Sequence, residues 1–143
     1  MTYGYMRNAS AVYQQNSARG RIENADAHQL VSMLLEGAID RTVQARGHMV
    51  RADVAAKGRA INGAISIVGE LRNSLDHKVD PGMSQRLDSL YEYVSRRLLM
   101  AQLHDDVGAL DEVIKLLTPI RDGWLGIRPH YMAAGQRVGG AAR

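Results

Sequence analysis

Apolar side chains in this chain recur at spacings of three and four residues along four separate segments, and nowhere do they alternate over a sustained run. A period near 3.6 lines one face of a helix, whereas a half-buried strand needs a period of two. The chain is therefore expected to be all-α, with no sheet.

The first helix is predicted to open at Asp26, with Gln29 three residues on to close a capping box, and to run to about Arg51. Leu30, Met33, Leu34 and Gly37 share one face, while Val31, Leu35, Ile39 and Val43 form a second row. A helix apolar over more than its core stripe is either central in a bundle or offers a groove to a partner. The second helix, capped by Asp53, reaches about Leu75 with Ile61, Ala64, Ile65, Val68, Leu71 and Leu75 as its stripe. Gly58, Gly63 and Gly69 interrupt it, each weakening it or admitting another backbone. Asp76 to Gly82 is a connection in which Asp80 and Pro81 pair a cap with a first-turn proline.

The third helix carries Leu87, Leu90, Tyr91, Val94, Leu98 and Ala101 and ends near Leu103. Asp106 is placed to cap the fourth, whose stripe is Leu110, Val113, Ile114, Leu117, Ile120 and Trp124. Pro119 lies inside that stripe and predicts a kink or break near Thr118. Short turns cannot carry the chain back along a helix of ~30 Å, so consecutive helices must be antiparallel neighbours. The expected architecture is an antiparallel up-and-down four-helix bundle over residues 24–128. It is preceded by an N-terminal arm over 1–23, with room for a short extra helix, and followed by a disordered basic tail over 129–143.

Composition narrows the chemistry. There is no cysteine, which excludes disulfides and thiolate metal sites. The first sixteen residues lack the apolar run of ~7 to 15 residues that a secretory signal needs. No stretch of ~18 uncharged apolar residues offers a membrane span, so a chain without stable membrane insertion, kept in the cytoplasm, is expected. The net charge of +3 comes from the ends: Arg7, Arg19 and Arg21 on one side, Arg128, Arg137 and Arg143 on the other, neither with an acid. Residues 22–127 hold 12 basic and 15 acidic side chains, a poor surface for nucleic acid.

Catalytic and metal constellations fail on spacing. A di-iron bundle needs Glu-x-x-His on two helices, but Glu36, Glu70, Glu92 and Glu112 are followed at that distance by Ile39, Asn73, Ser95 and Lys115. His28, His48, His77, His104 and His130 show no pairing at three or four residues, so no metal or cofactor is expected. His104, Asp105 and Asp106 read as a solvated turn and cap. His48 on a bundle helix suggests a histidine phosphotransfer domain, yet Arg51 and Ala52 are poor neighbours for a phosphoryl group. No phosphate loop or activated nucleophile is visible, and the chain is not expected to be an enzyme.

Taken in order, Tyr13-Gln14-Gln15-Asn16, LVSMLLEGAI at 30–39, GELRNSL at 69–75, LYEYVSRRLLMA at 90–101, and the run from Leu110 through DEVIKLL to RDGW at Trp124 resemble the FliS family of flagellin-specific export chaperones. The resemblance spans residues 11–127. It implies an antiparallel helical bundle that binds the disordered C-terminal segment of flagellin in the cytoplasm, blocks premature polymerisation and delivers the client to the flagellar type III export gate. It also implies that Tyr13, Gln14 and Gln15 cover the client groove or dock at the gate. The sequence departs from the family in Ala25-Asp26-Ala27 where a serine- or threonine-proline-glycine turn is common, in Leu35 where tyrosine is frequent, and in Gln102 where asparagine is.

An amphipathic client would lie helix-in-groove on surplus Leu, Met and Ile side chains. Leu30, Leu34, Leu71, Leu98, Leu117 and Trp124 are expected to include both core and groove floor, with Tyr91, Tyr93, Arg96 and Arg97 near the rim. A homodimer is compatible with the chain. The competing readings are a generic helical adaptor or a histidine phosphotransfer-like bundle.

Overall fold

The computed structural model describes residues 26–127; the expected arm and tail lie outside them. Four helices follow in order: α1 (Ala27–Val50), α2 (Val54–Asn73), α3 (Pro81–His104) and α4 (Val107–Gly126). Each starts at an aspartate whose carboxylate accepts a free first-turn amide. Asp26 takes that of Gln29 at 2.8 Å, Asp53 that of Ala56 at 3.2 Å, Asp80 that of Met83 at 3.0 Å and Asp106 that of Ala109 at 3.1 Å. At Asp26 the box is complete, since Gln29 Oε1 accepts the Asp26 amide at 3.3 Å.

α1 packs on α2 and α4, and α3 packs on α2 and α4, so the four helices close a ring in up-down-up-down order. This is the expected bundle. Its core is one cluster: Leu35, Ala38 and Ile39 of α1; Ile61, Ala64, Ile67, Val68 and Leu71 of α2; Tyr91, Val94 and Leu98 of α3; and Leu110, Val113 and Leu117 of α4, with further buried alanines. The predicted stripes of α2, α3 and α4 supply most of it because a 3.6-residue period points those side chains inward.

The turns are short at one pole. Ala52 between α1 and α2 and Asp105 between α3 and α4 both adopt positive φ, 61° and 51°. Asp105 is tied down: the buried Lys57 ammonium pairs with its carboxylate and also donates to the Gln102 carbonyl at 3.3 Å. That places a cation on the negative end of α3. Chain entry at residue 26 and exit at 127 lie at the opposite pole, with the α2–α3 connection.

Of the kink or break expected near Thr118, the break is corrected. α4 runs unbroken through Pro119 as a single helix. Pro119 and Lys115, whose carbonyl loses its helical donor, are both exposed residues, and the Thr118 hydroxyl donates to the Ile114 carbonyl at 2.7 Å.

Candidate functional site

The fold separates the expected client-binding side chains into buried and open ones. Leu71, Leu98 and Leu117 are 1%, 0% and 0% exposed and belong to the core. Tyr91, expected at a rim, is corrected to the same place at 3% exposure. It lies three residues before Val94 and seven before Leu98 on the inward row of α3, and burial pushes its phenol up to about 12. These four residues present no surface to a partner.

Leu30 is open at 43% exposure, and Leu34 is half-buried against the core. On α1 the row Leu35 and Ile39 is the core; of the neighbouring row, Leu30 is open and Met33 and Leu34 are half-buried. The chain also leaves open three side chains that sequence reasoning did not single out: Leu99 at 50%, Met100 at 41% and Leu103 at 64%. The available signal was position. They fall one or two residues after Leu98 and Ala101, outside a stripe that was already complete. Val50 and Val54, at the same pole as Leu103, are exposed as well.

Tyr93, Arg96 and Arg97 form a polar border along the α3–α4 seam. The Tyr93 hydroxyl donates to Glu112 Oε2 at 2.8 Å, and Arg97 Nε donates to Glu112 Oε1 at 2.6 Å. Hydrogen bonds from Tyr93 and Arg97 hold the Glu112 carboxyl below its ordinary range, and the bond to Glu112 raises the Tyr93 phenol. Arg96 sits 5.9 Å above the Tyr93 ring centre and 3.7 Å from Glu92. This seam orders α3 against α4 and leaves Arg96 exposed.

Trp124 is engaged at the entry pole. Its ring stacks on His28 with centroids 4.7 Å apart and planes 10° from parallel. Its indole N–H donates to the His28 carbonyl at 2.9 Å, and His28 Nε2 donates to the Trp124 carbonyl at 2.6 Å. Tyr13, Gln14 and Gln15 lie outside the described residues.

Other candidate chemistry is structural. Nδ1 of His48 accepts from the Arg51 guanidinium at 3.1 Å. Asp105 holds Lys57 and Asp106 caps α4. Among the described residues no three His, Asp or Glu side chains gather as a metal site, and no helix is long and apolar enough to cross a membrane. An open hollow of about 480 Å³ between α2 and α3 is lined by Gly69, Arg72, Asn73, Leu75, His77 and Asp88. Its arginine is held by Asp88 through two bonds of 3.0 and 3.2 Å.

Comparison with known proteins identifies the lineage. Residues 6–131 match the family described as flagellar protein FliS. The flagellar secretion chaperone FliSB of Pseudomonas aeruginosa is 40% identical over 123 residues, spanning 86% of this chain and 98% of that protein. FliS of Salmonella typhimurium is 37% identical over 126 residues, 87% of this chain and 93% of its own length. FliS of Bacillus subtilis is 29% identical over 119 residues, 83% and 85%. These names describe chaperones rather than an enzyme class. On a match covering most of its length, this chain belongs to the FliS family of flagellar secretion chaperones.

Proposed function

We propose that the chain is a cytoplasmic export chaperone that binds the disordered C-terminal segment of flagellin, prevents its premature polymerisation and delivers it to the flagellar type III export gate. The observation that carries this reading is a surplus. In a chain of this family, Leu30, Leu99, Met100 and Leu103 stay 41–64% exposed although the bundle already has a complete core. Apolar area left in water is worth about 25 cal/mol per Å² to any partner that covers it. Ordering a disordered client costs ~2 to 5 kcal/mol or more, so affinity has to be collected over several such side chains.

In this reading Leu30, Leu34, Leu99, Met100 and Leu103 contact the client, and Tyr93, Arg96 and Arg97 border it. Leu71, Tyr91, Leu98 and Leu117 act indirectly by holding the helices in register. Tyr13, Gln14 and Gln15 are assigned, on the family resemblance, to covering the groove or docking at the gate.

Flagellin polymerisation provides the test. Added at equal concentration to monomeric flagellin with filament seeds, the chain is expected to suppress elongation stoichiometrically. A flagellin lacking its C-terminal segment is expected not to co-elute with it on size exclusion. Elongation at an unchanged rate would contradict the proposal.

A further inference from the structure

Three connections join the four helices, and the residues in them do not enforce a turn equally. The α2–α3 connection carries Asp80, Pro81 and Gly82. The α3–α4 turn places Asp105 at φ 51°, a conformation aspartate adopts more readily than most residues, and the Lys57 ammonium holds its carboxylate. The α1–α2 turn has neither device. Arg51, Ala52 and Asp53 make it, and residues 48–57 contain no glycine and no proline.

Its geometry nevertheless suits glycine. The Asp53 amide donates to the His48 carbonyl at 2.9 Å and the Ala52 amide to the Met49 carbonyl at 3.1 Å, the paired bonds of a Schellman motif. Ala52 stands at φ 61°, where that motif usually has glycine and a β-carbon crowds the following carbonyl. Alanine and arginine are strong helix formers, so the same residues favour running α1 straight on into α2. The closed turn is held by the packing of α1 on α2 and α4 and by the Asp53 cap, against the preference of its own backbone.

Exposed valines flank the same turn. Val50 and Val54 are 64% and 71% exposed, and Val43 is 50% exposed. In the closed chain Val50 ends α1 and Val54 begins α2. In a continuous helix the three, spaced by seven and four residues, fall on one face within about 40°. Val50 and Val54 stand two positions before and two after Ala52. A two-fold axis through two antiparallel hinges therefore sets Val50 of each copy against Val54 of the other.

We propose that two copies of this chain exchange α1. The α1–α2 turn opens at Ala52, α1 takes its usual place between α2 and α4 of the other copy, and Val50 and Val54 of the two straightened hinges cover one another. The core is preserved, since Leu35, Ala38, Ile39 and Ala45 reach the same neighbours in trans. Two strained alanines are relieved and exposed valines are buried, against the loss of the Asp53 cap on each α2. The exchange does not depend on the client reading, but it bears on it: α1 carries Leu30 and Leu34, so each proposed client surface would draw on both chains.

The experiment refolds the full-length chain from urea at high protein concentration and sizes the products by light scattering on elution. A dimer that persists on dilution is expected, because separation requires α1 to leave a completed core. Arg46 on α1 meets Asp111 on α4 at 2.6 Å, so Arg46→Cys with Asp111→Cys reports which copy supplies α1, in a chain that has no other cysteine. A short bismaleimide is expected to join the two within one chain in the monomer and to give a covalent dimer in the exchanged form. Ala52→Gly removes the strain and weakens the continuous helix. At about tenfold or more per hinge, it is expected to lower the dimerisation constant about a hundredfold or more. Asp53→Ala deletes the cap and is expected to raise the dimer fraction. Val50→Ser with Val54→Ser is expected to lower that fraction while leaving the monomer's Tm nearly unchanged. A chain that stays monomeric throughout, Asp53→Ala included, would overturn the exchange. A dimer whose crosslinks all lie within single chains is merely docked and would overturn it equally. A dimerisation constant unmoved by Ala52→Gly would overturn the hinge.

Discussion

At the scale of single residues, the Glu112 clamp makes stability depend on pH in a direction that can be worked out. Hydrogen bonds from Tyr93 and Arg97 depress the Glu112 carboxyl below its ordinary 4.5, so folding favours the charged form. Its contribution is complete above that value and is lost as pH falls through the lower folded value. Tyr93 behaves oppositely. Its phenol is raised above the ordinary 10.0 by the bond to Glu112, so its contribution is present below that value and fades as pH climbs past it. Thermal melts of Glu112→Gln are expected to show a shallower fall in Tm on acidification than the wild type. Equal slopes would mean that the clamp contributes nothing. Ala52 offers a second residue-level test. A β-carbon at φ 61° is strained, so Ala52→Gly is expected to raise stability by about 0.5 to 1 kcal/mol in urea melts.

At the scale of elements, the division between inner and outer rows decides which leucines matter for folding. Leu98→Ala and Leu117→Ala each empty a fully buried site and are expected to cost ~2 to 5 kcal/mol of stability. Leu99→Ala and Leu103→Ala, half or more exposed, are expected to stay within about 0.5 kcal/mol of wild type. The four helices were legible in the sequence because their signals are local. An aspartate stands before each one, and the period of the stripes puts Val94, Leu98, Val113 and Leu117 inside. The choice between the two rows of α1 was not legible, since it depends on where α2 and α4 lie rather than on α1 itself. The same limit applies to the seam and to the Trp124 stack. Arg97 meets Glu112 across 15 positions and His28 meets Trp124 across 96, separations that no periodicity encodes. Pro119 read as a kink or break because an interior proline forfeits one backbone hydrogen bond and clashes with the carbonyl four residues back. On an exposed helix face that loss is smaller, and α4 continues.

At the scale of the whole molecule, the ring of helices completes its core and still keeps a set of apolar side chains in water. A chain selected only to fold would have little use for Leu99, Met100 and Leu103 on the outside of α3. In the proposed reading the client covers those side chains, and Leu30, on α1 toward the opposite pole, is a separate exposed position. Calorimetric titration of the full-length chain with the C-terminal segment of flagellin tests this most directly, repeated with a Leu99→Ala, Leu103→Ala double variant. The account predicts saturable binding at micromolar concentration or tighter with a negative heat-capacity change, weakened about tenfold or more in the double variant at an unchanged Tm. Absence of binding at tens of micromolar by a folded chain, or equal affinity in the double variant, would contradict it.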